Sequence, residues 1–244
     1  IHDHVSAAKK AAFVHVDYVQ AGYTRRLDKD CYVDFDRIFA VSDEPAGVLA
    51  GVYPECQQKL SVFHNLIDTE AIRQKALLPA EKSMHEGISL LTVGRLTPQK
   101  GFDCAVYALK LLLEKQYPVY WYIIGEGPEY GRLTQLARSL HVEDHFIFLG
   151  MQTNPYPYFK MADFYIHATR FEGKSIAIQE AQVLGCAIAA SDCSGNREQI
   201  VSGVDGLLCP FSPEGIANAV EYLIEHPQTT QSFGRAAAQK ACHF

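Results

Sequence analysis

Glu172 and Glu180 stand with seven residues between them in the stretch Phe171 to Ala181. The first follows an apolar run, Asp163 to His167, that reads as a buried strand, and the second lies inside a helical pattern. A strand that leads into a helix offers backbone amides at the helix N-terminus, here those of Lys174, Ser175 and Ile176, where they can hold an anion while the carboxylates grip hydroxyls. Both carboxylates are therefore expected to face one cleft. Two other strand ends carry comparable residues. Ser89 to Val93 runs into Gly94 and Arg95 and then, past Pro98, into Lys100 and Gly101, after which Phe102, Val106, Leu109 and Leu113 recur at helical spacing. Tyr120 to Ile124 ends in Gly125-Glu126-Gly127-Pro128 and is followed by a helical pattern through Leu133, Leu136, Ala137 and Leu140. Glycine lets the backbone come close to a ligand. In an open parallel sheet ligands bind beyond the carboxyl ends of the strands, so three segments converge on one expected site with cations and carboxylates together.

In their order along the chain, the Gly94-Arg95-Leu96 to Lys100-Gly101 loop, the Gly125-Glu126-Gly127 turn and the Glu172 and Glu180 pair resemble the donor-binding domain of a GT-B glycosyltransferase of the large retaining family 4, the glycosyl transferases group 1. The resemblance is strong from about residue 88 to 225 and weaker from about 11 to 78. It implies an α/β fold, a Rossmann-like doubly wound parallel sheet, with an incomplete second Rossmann-like unit. Arg95 and Lys100 resemble the pair that neutralises the donor diphosphate, Arg by a fork of donors and Lys as a point charge. Glu180 resembles the residue that accepts from the ribose hydroxyls, and Glu172 the one that holds hydroxyls of the transferred sugar. The amides of Lys174, Ser175 and Ile176 would cap sugar and phosphate, and Gly94, Gly125 and Gly127 would border the nucleotide. Many relatives have Phe-Gly where this chain has Lys174-Ser175, which leaves the sugar open. His15, in Val14-His15-Val16-Asp17, matches a histidine placed near the transferred sugar and acceptor. Glu198 and the tyrosines Tyr156 and Tyr158 each have two readings: site residues, or an amide cap and packing residues.

The activity implied is retaining transfer from a nucleoside diphosphate sugar, with UDP favoured over GDP, to a hydroxyl of a saccharide or lipid-linked saccharide in surface polysaccharide biosynthesis. No cofactor or metal is required by that scheme. Two alternatives use the same residues: a nucleotide-sugar-binding module inactive as supplied, and a glycoside hydrolase working with Glu172 and Glu180. A nicotinamide site fits less well, because Gly125-Glu126-Gly127 lacks the G-x-G-x-x-G spacing.

Composition narrows the class. A hydrophobic content of 48% supplies ample core, and a net charge of −6 with neither half basic argues against a general nucleic-acid partner. The longest apolar stretches are too short to span a bilayer, so a cytoplasmic setting is expected, with room for peripheral association at the membrane face. Seven cysteines, Cys31, Cys56, Cys104, Cys186, Cys193, Cys209 and Cys242, show no Cys-x-x-Cys pair and read as reduced thiols, several of them in the core. The histidines show no metal-ligand spacing.

The first 80 or so residues read as two or three strands, at 11–16, 36–42 and 59–63, and a capped helix from Asp68 to Ala76. Residue 1 is Ile, and against the family this segment looks like the tail of an acceptor-binding N-terminal domain most of which is lacking. The expected organisation is residues 1–78 as that remnant, 79–86 as a linker containing Pro79, and 87–244 as the nucleotide-sugar domain. Without the rest of its acceptor wall such a fragment is expected to be inactive alone.

Overall fold

The computed structural model describes residues 6–244. They fall into two compact units: the chain up to Leu66 with residues 171–175 and 194–198, and residues 67–170, 176–193 and 199–244.

The first unit holds β1 (Ala11–Val14), α1 (Arg25–Asp28), β2 (Arg37–Ala40), α2 (Asp43–Val52) and β3 (Leu60–Val62). The strands form a parallel sheet in the order β1-β2-β3, with Ala12 opposite Ile38 and Ile38 opposite Leu60. Side chains alternate across a strand, so Val14, Ile38 and Ala40 enter a core with Leu49, Tyr53 and Cys56. Phe13, Phe39 and Phe63 make a separate aromatic cluster with ring centroids 5.1 to 5.9 Å apart. Helix α2 opens with Asp43, Glu44 and Pro45, residues suited to the positive end and unbonded amides of a first turn.

The second unit begins with α3 (Thr69–Lys75) and continues through β4 (Ile88–Val93), α4 (Phe102–Glu114), β5 (Val119–Ile124), α5 (Tyr130–Ser139), β6 (Phe146–Gly150), α6 (Tyr156–Met161), β7 (Phe164–His167), α7 (Ile176–Val183) and β8 (Ala187–Ser191). After α8 (Ser194–Arg197), which belongs to the first unit, come β9 (Leu207–Cys209), α9 (Pro213–Glu225) and α10 (Pro227–Lys240). The six strands are all parallel, in the order β6-β5-β4-β7-β8-β9, which is the doubly wound arrangement expected. Strands buried on both faces are mainly apolar, and β4, β5, β7 and β8 are such runs. Leu90, Trp121, Ile123 and Ile166 pack with α4, α5 and α9, whereas Leu91, Tyr122, Tyr165 and Ile188 pack with α6 and α7. One buried polar link ties the three central strands: the Thr92 hydroxyl donates to the Ile166 carbonyl at 2.6 Å and accepts from the Trp121 indole at 2.9 Å.

The division between units falls earlier than the sequence suggests. The Asp68 carboxylate caps α3 by accepting from the Ala71 amide at 2.9 Å, as expected, but Ile72 packs with Val183 and Ala241, which draws α3 into the second unit rather than the first. Residues 77–87 have no regular structure, and the hydroxyls of Tyr158 and Tyr122 accept from the Lys82 and His85 amides. The segment around Tyr156 and Tyr158, although flanked and interrupted by Pro155 and Pro157, is the helix α6, since proline is tolerated in a first turn. All seven cysteines are free thiols, five of them buried, and burial pushes Cys104 up to about 11 and Cys186 and Cys209 up to about 12.

Leu109, fully buried on α4 against the sheet, measures the strength of this packing. Leu109→Ala should lower the unfolding free energy by about 2–5 kcal/mol, read as a drop in denaturant midpoint at unchanged slope.

Candidate functional site

The strand order reverses between β4 and β7, where crossovers leave towards opposite faces and a crevice opens at the carboxyl ends. A cavity of about 420 Å³ lies at the carboxyl ends of β4 and β5, lined by Gly94, Arg95, Gly125, Gln152, Pro155 and Glu180 among others. The loop after β4 prolongs the sheet: Gly94 donates to the Ile124 carbonyl and Leu96 to that of Glu126, both at 2.9 Å. This lays the two glycine segments directly against each other. A Cβ on Gly125, whose φ is +141°, would lie 2.0 Å from the Gly94 oxygen, and one on Gly127 would lie 2.4 Å from the Leu96 oxygen. Only glycine permits that approach.

Arg95 is exposed, and its guanidinium makes no hydrogen bond or ion pair among the described residues. The Lys100 stem folds over Gly94, its Cε 3.7 Å from where a Gly94 Cβ would stand. The structure therefore brings Gly94, Arg95, Gly125 and Glu180 to one cavity, with Lys100 alongside Gly94 and Gly127 next in the turn. Gly125 and Gly127 also border a second cavity of about 520 Å³, beside Tyr130 and Phe148. A third, of about 510 Å³, sits at the opposite strand ends near Ile88, Phe164 and Ala187, away from the switch point.

Glu180 is half-buried on α7, and the Tyr156 hydroxyl donates to its Oε1 at 3.0 Å. Burial raises the Glu180 carboxyl above the usual range, and the Tyr156 hydrogen bond opposes that shift. Tyr156 itself is pushed up to about 12 by burial and by the neighbouring Glu180 charge. Of the two readings of Tyr156 the structure thus supplies a third element, a hydroxyl that orients the carboxylate. Tyr158 is buried in the core behind it.

Glu172, Lys174, Ser175 and His15 belong to the first unit, while α7 starts in the second at Ile176. Glu172 and Ser175 are buried, and His15 is exposed just past β1. Here three backbones are layered. A Cβ on Gly173 would stand 2.2 Å from the His15 oxygen, and one on Gly195 would stand 1.7 Å from the Gly173 oxygen. The Asn65 amide donates to the Lys174 carbonyl at 3.3 Å, and Lys174 Nζ lies 3.1 Å from His64 Nδ1. Glu198 follows α8, and its Oε1 accepts from the Glu44 amide at 2.8 Å. It therefore caps α2 in place of Ser42, whose hydroxyl makes no such bond. Among the described residues, no group of three or more His, Cys, Asp or Glu side chains is arranged to hold a metal ion. No helix among them is long and apolar enough to cross a membrane.

Known proteins place this architecture. The family described as glycosyl transferases group 1 has a model that matches residues 73–240, and the chain belongs to that family. It is 30% identical over 189 residues to the N-acetylgalactosamine-N,N'-diacetylbacillosaminyl-diphospho-undecaprenol 4-alpha-N-acetylgalactosaminyltransferase of Campylobacter jejuni, a match covering 77% of this chain and 50% of that protein. An uncharacterized glycosyltransferase of Methanocaldococcus jannaschii is 25% identical over 180 residues, covering 72% of this chain and 42% of its own. The crystal structure of Anabaena HepE in complex with UDP-glucose shares the fold, with a TM-score of 0.82 at 19% identity over 96% of this chain and 67% of that one. The chain spans about half the length of the curated relatives it matches.

The raised Glu180 carboxyl has a thermodynamic consequence. A folded pKa above the unfolded value means that the ionised form is held at a cost at neutral pH, a cost that disappears as pH falls through the unfolded carboxyl range near ~4.3. Glu180→Gln should therefore raise the melting temperature at pH 7, and the gain should shrink towards pH 4, as followed by circular dichroism.

Proposed function

We propose that this chain carries the donor-binding part of a retaining glycosyltransferase, one that moves a sugar from a nucleoside diphosphate sugar, UDP favoured over GDP, to a hydroxyl of a saccharide or lipid-linked saccharide in surface polysaccharide assembly. The observation that carries the reading is the Arg95 cation, unpaired among the described residues, and the partly desolvated Glu180 carboxylate lining one cavity at the carboxyl ends of a doubly wound sheet. A diphosphate needs the first and ribose hydroxyls suit the second. The Campylobacter jejuni relative's name includes a diphospho-undecaprenol substrate, and fold neighbours have been solved with UDP and with UDP-glucose, which supports a UDP-sugar and a lipid-linked acceptor here. Membership of the transferase family sets the glycoside hydrolase alternative aside.

In this scheme Arg95 and Lys100 bind the diphosphate with the amides of Lys174, Ser175 and Ile176. The bond from the anomeric carbon to the phosphate oxygen breaks, the acceptor oxygen bonds to that carbon on the same face, and the acceptor's proton passes to the departing diphosphate. Catalysis is chiefly electrostatic, because the cations and amides are set where negative charge grows on the leaving group. Glu180 holds the ribose, Glu172 holds hydroxyls of the transferred sugar, and His15 serves near the sugar and acceptor. The scheme uses no metal and no cofactor. The acceptor is met at the cytoplasmic face of the membrane, by peripheral association where it is lipid-linked.

Titration calorimetry tests the donor reading. UDP should bind saturably, with EDTA making no difference, and Arg95→Ala or Lys100→Ala should each weaken UDP by about 1.5–3 kcal/mol while leaving uridine nearly unchanged. Folded protein that gives no saturable heat with any nucleoside diphosphate would overturn the assignment.

A further inference from the structure

Lys100 sits in a short turn, Pro98–Lys100, closed by hydrogen bonds from Lys100 to the Thr97 carbonyl at 3.0 Å and from Gly101 to the Pro98 carbonyl at 3.3 Å. A turn that small does not hold its geometry unaided. What holds it is the segment just past β7. The Arg170 amide donates to the Gln99 carbonyl at 2.9 Å, the Thr169 hydroxyl donates to the same oxygen at 3.0 Å, and Arg170 Nη1 donates to the Pro98 carbonyl at 2.5 Å. The guanidinium then forks onto Asp103, in the first turn of α4, at 3.0 and 2.8 Å, and lies 5.0 Å over the Phe211 ring. Thr169 is fixed in turn by Ser191 of β8, which accepts from its amide at 3.0 Å. Closeness is enforced from the other side as well, since a Cβ on Gly101 would come within 2.6 Å of the Ala168 oxygen.

We propose that Arg170 is a positioning residue for diphosphate recognition: paired with Asp103, it clamps the Pro98–Lys100 turn to the carboxyl end of β7 and so sets where the Lys100 ammonium stands. This rests on the donor reading above. Arg170 is not offered as a ligand contact, because both of its terminal nitrogens already bond to Pro98 or Asp103. Burial would raise the Asp103 carboxyl, but hydrogen bonding and charge from Arg170, with smaller help from the Cys104 amide and Arg132, hold it below the usual carboxylate range. It therefore stays ionised at neutral pH, so the fork is charged on both sides and stronger than a neutral pair. A planar five-donor fork that serves a carbonyl and a carboxylate together has no lysine equivalent.

The test has two arms on the same variants, Arg170→Gln, Arg170→Lys, Asp103→Asn and the double variant Arg170→Gln/Asp103→Asn, each first shown to melt cooperatively. The first arm needs no ligand: amide hydrogen exchange at residues 100, 101 and 170 should quicken by about tenfold in Arg170→Gln, with the β4 and β5 amides unchanged. The second is calorimetry with UDP and with uridine. UDP affinity should fall about tenfold in Arg170→Gln and Asp103→Asn, less in Arg170→Lys, and no further in the double variant, because the two residues act as one unit. Uridine affinity should not move. Unchanged exchange in the turn overturns the clamp, and equal losses for UDP and uridine, or additive losses in the double variant, overturn the diphosphate role. A wild-type chain that binds no nucleoside diphosphate overturns the donor reading and the diphosphate role with it, and the exchange arm then decides the clamp alone.

Discussion

The pairing of β4 with β7 at the centre of the six-stranded sheet is the constraint on which the second unit depends. Strands are added outward from that pair in both directions, β5 and β6 on one side and β8 and β9 on the other. The helices that follow β4 and β7 are thereby sent to opposite faces, and a crevice opens at the carboxyl ends where backbone amides, a cation and a helix converge without displacing core. The Thr92 hydroxyl secures the junction by accepting from Trp121 and donating to Ile166 across both neighbouring strands. A buried hydroxyl with both roles filled costs little to desolvate and fixes the stagger of three strands at once.

Charge at the crevice is divided between groups already engaged and groups held in reserve. Arg170 is engaged by Pro98 and Asp103, whereas Arg95 has no hydrogen bond or ion pair from its guanidinium among the described residues. Those two arginines differ in what surrounds them, not in chemistry. Arg170 lies three residues past β7 and meets the N-terminal turn of α4, while Arg95 projects from a loop whose Gly94 and Leu96 amides extend the sheet. Glu180 stands between these extremes, with one oxygen taken by Tyr156 and its carboxyl raised by burial. A partly desolvated carboxylate of that kind is costly to the fold, and such costs gather where a protein binds something.

Much of this could be read from sequence, and the failures have physical causes. Strands β4, β5, β7 and β8 are buried on both faces and so appear as mainly apolar runs. Gly94, Gly125 and Gly127 stand out because close backbone approach excludes every other residue. By contrast β9, with three residues, is too short to show a period, and α6 hides behind Pro155 and Pro157, which look like breakers although they occupy its opening turn. The partition at Leu66 is invisible locally, because what assigns α3 to the second unit is contact of Ile72 with Val183 and Ala241, far along the chain. The Arg170 and Asp103 pair is hidden for the same reason, being separated by 67 positions and belonging to no motif. Glu198 shows the converse: its type and place near a helix suggested either of two roles, and a single hydrogen bond to Glu44 settles its partner.

Trp121 gives the architecture an optical side. It is the chain's one tryptophan, it is fully buried, and its indole nitrogen is bonded to Thr92. An indole so screened from water emits at shorter wavelength than an exposed one and shifts when solvent reaches it. The first unit carries Tyr18, Tyr23, Tyr32 and Tyr53 but no tryptophan, so it is dark under excitation selective for indole. Fluorescence excited in that band therefore belongs to the six-stranded sheet alone, and the opening of that sheet to water can be followed by its colour without adding a label.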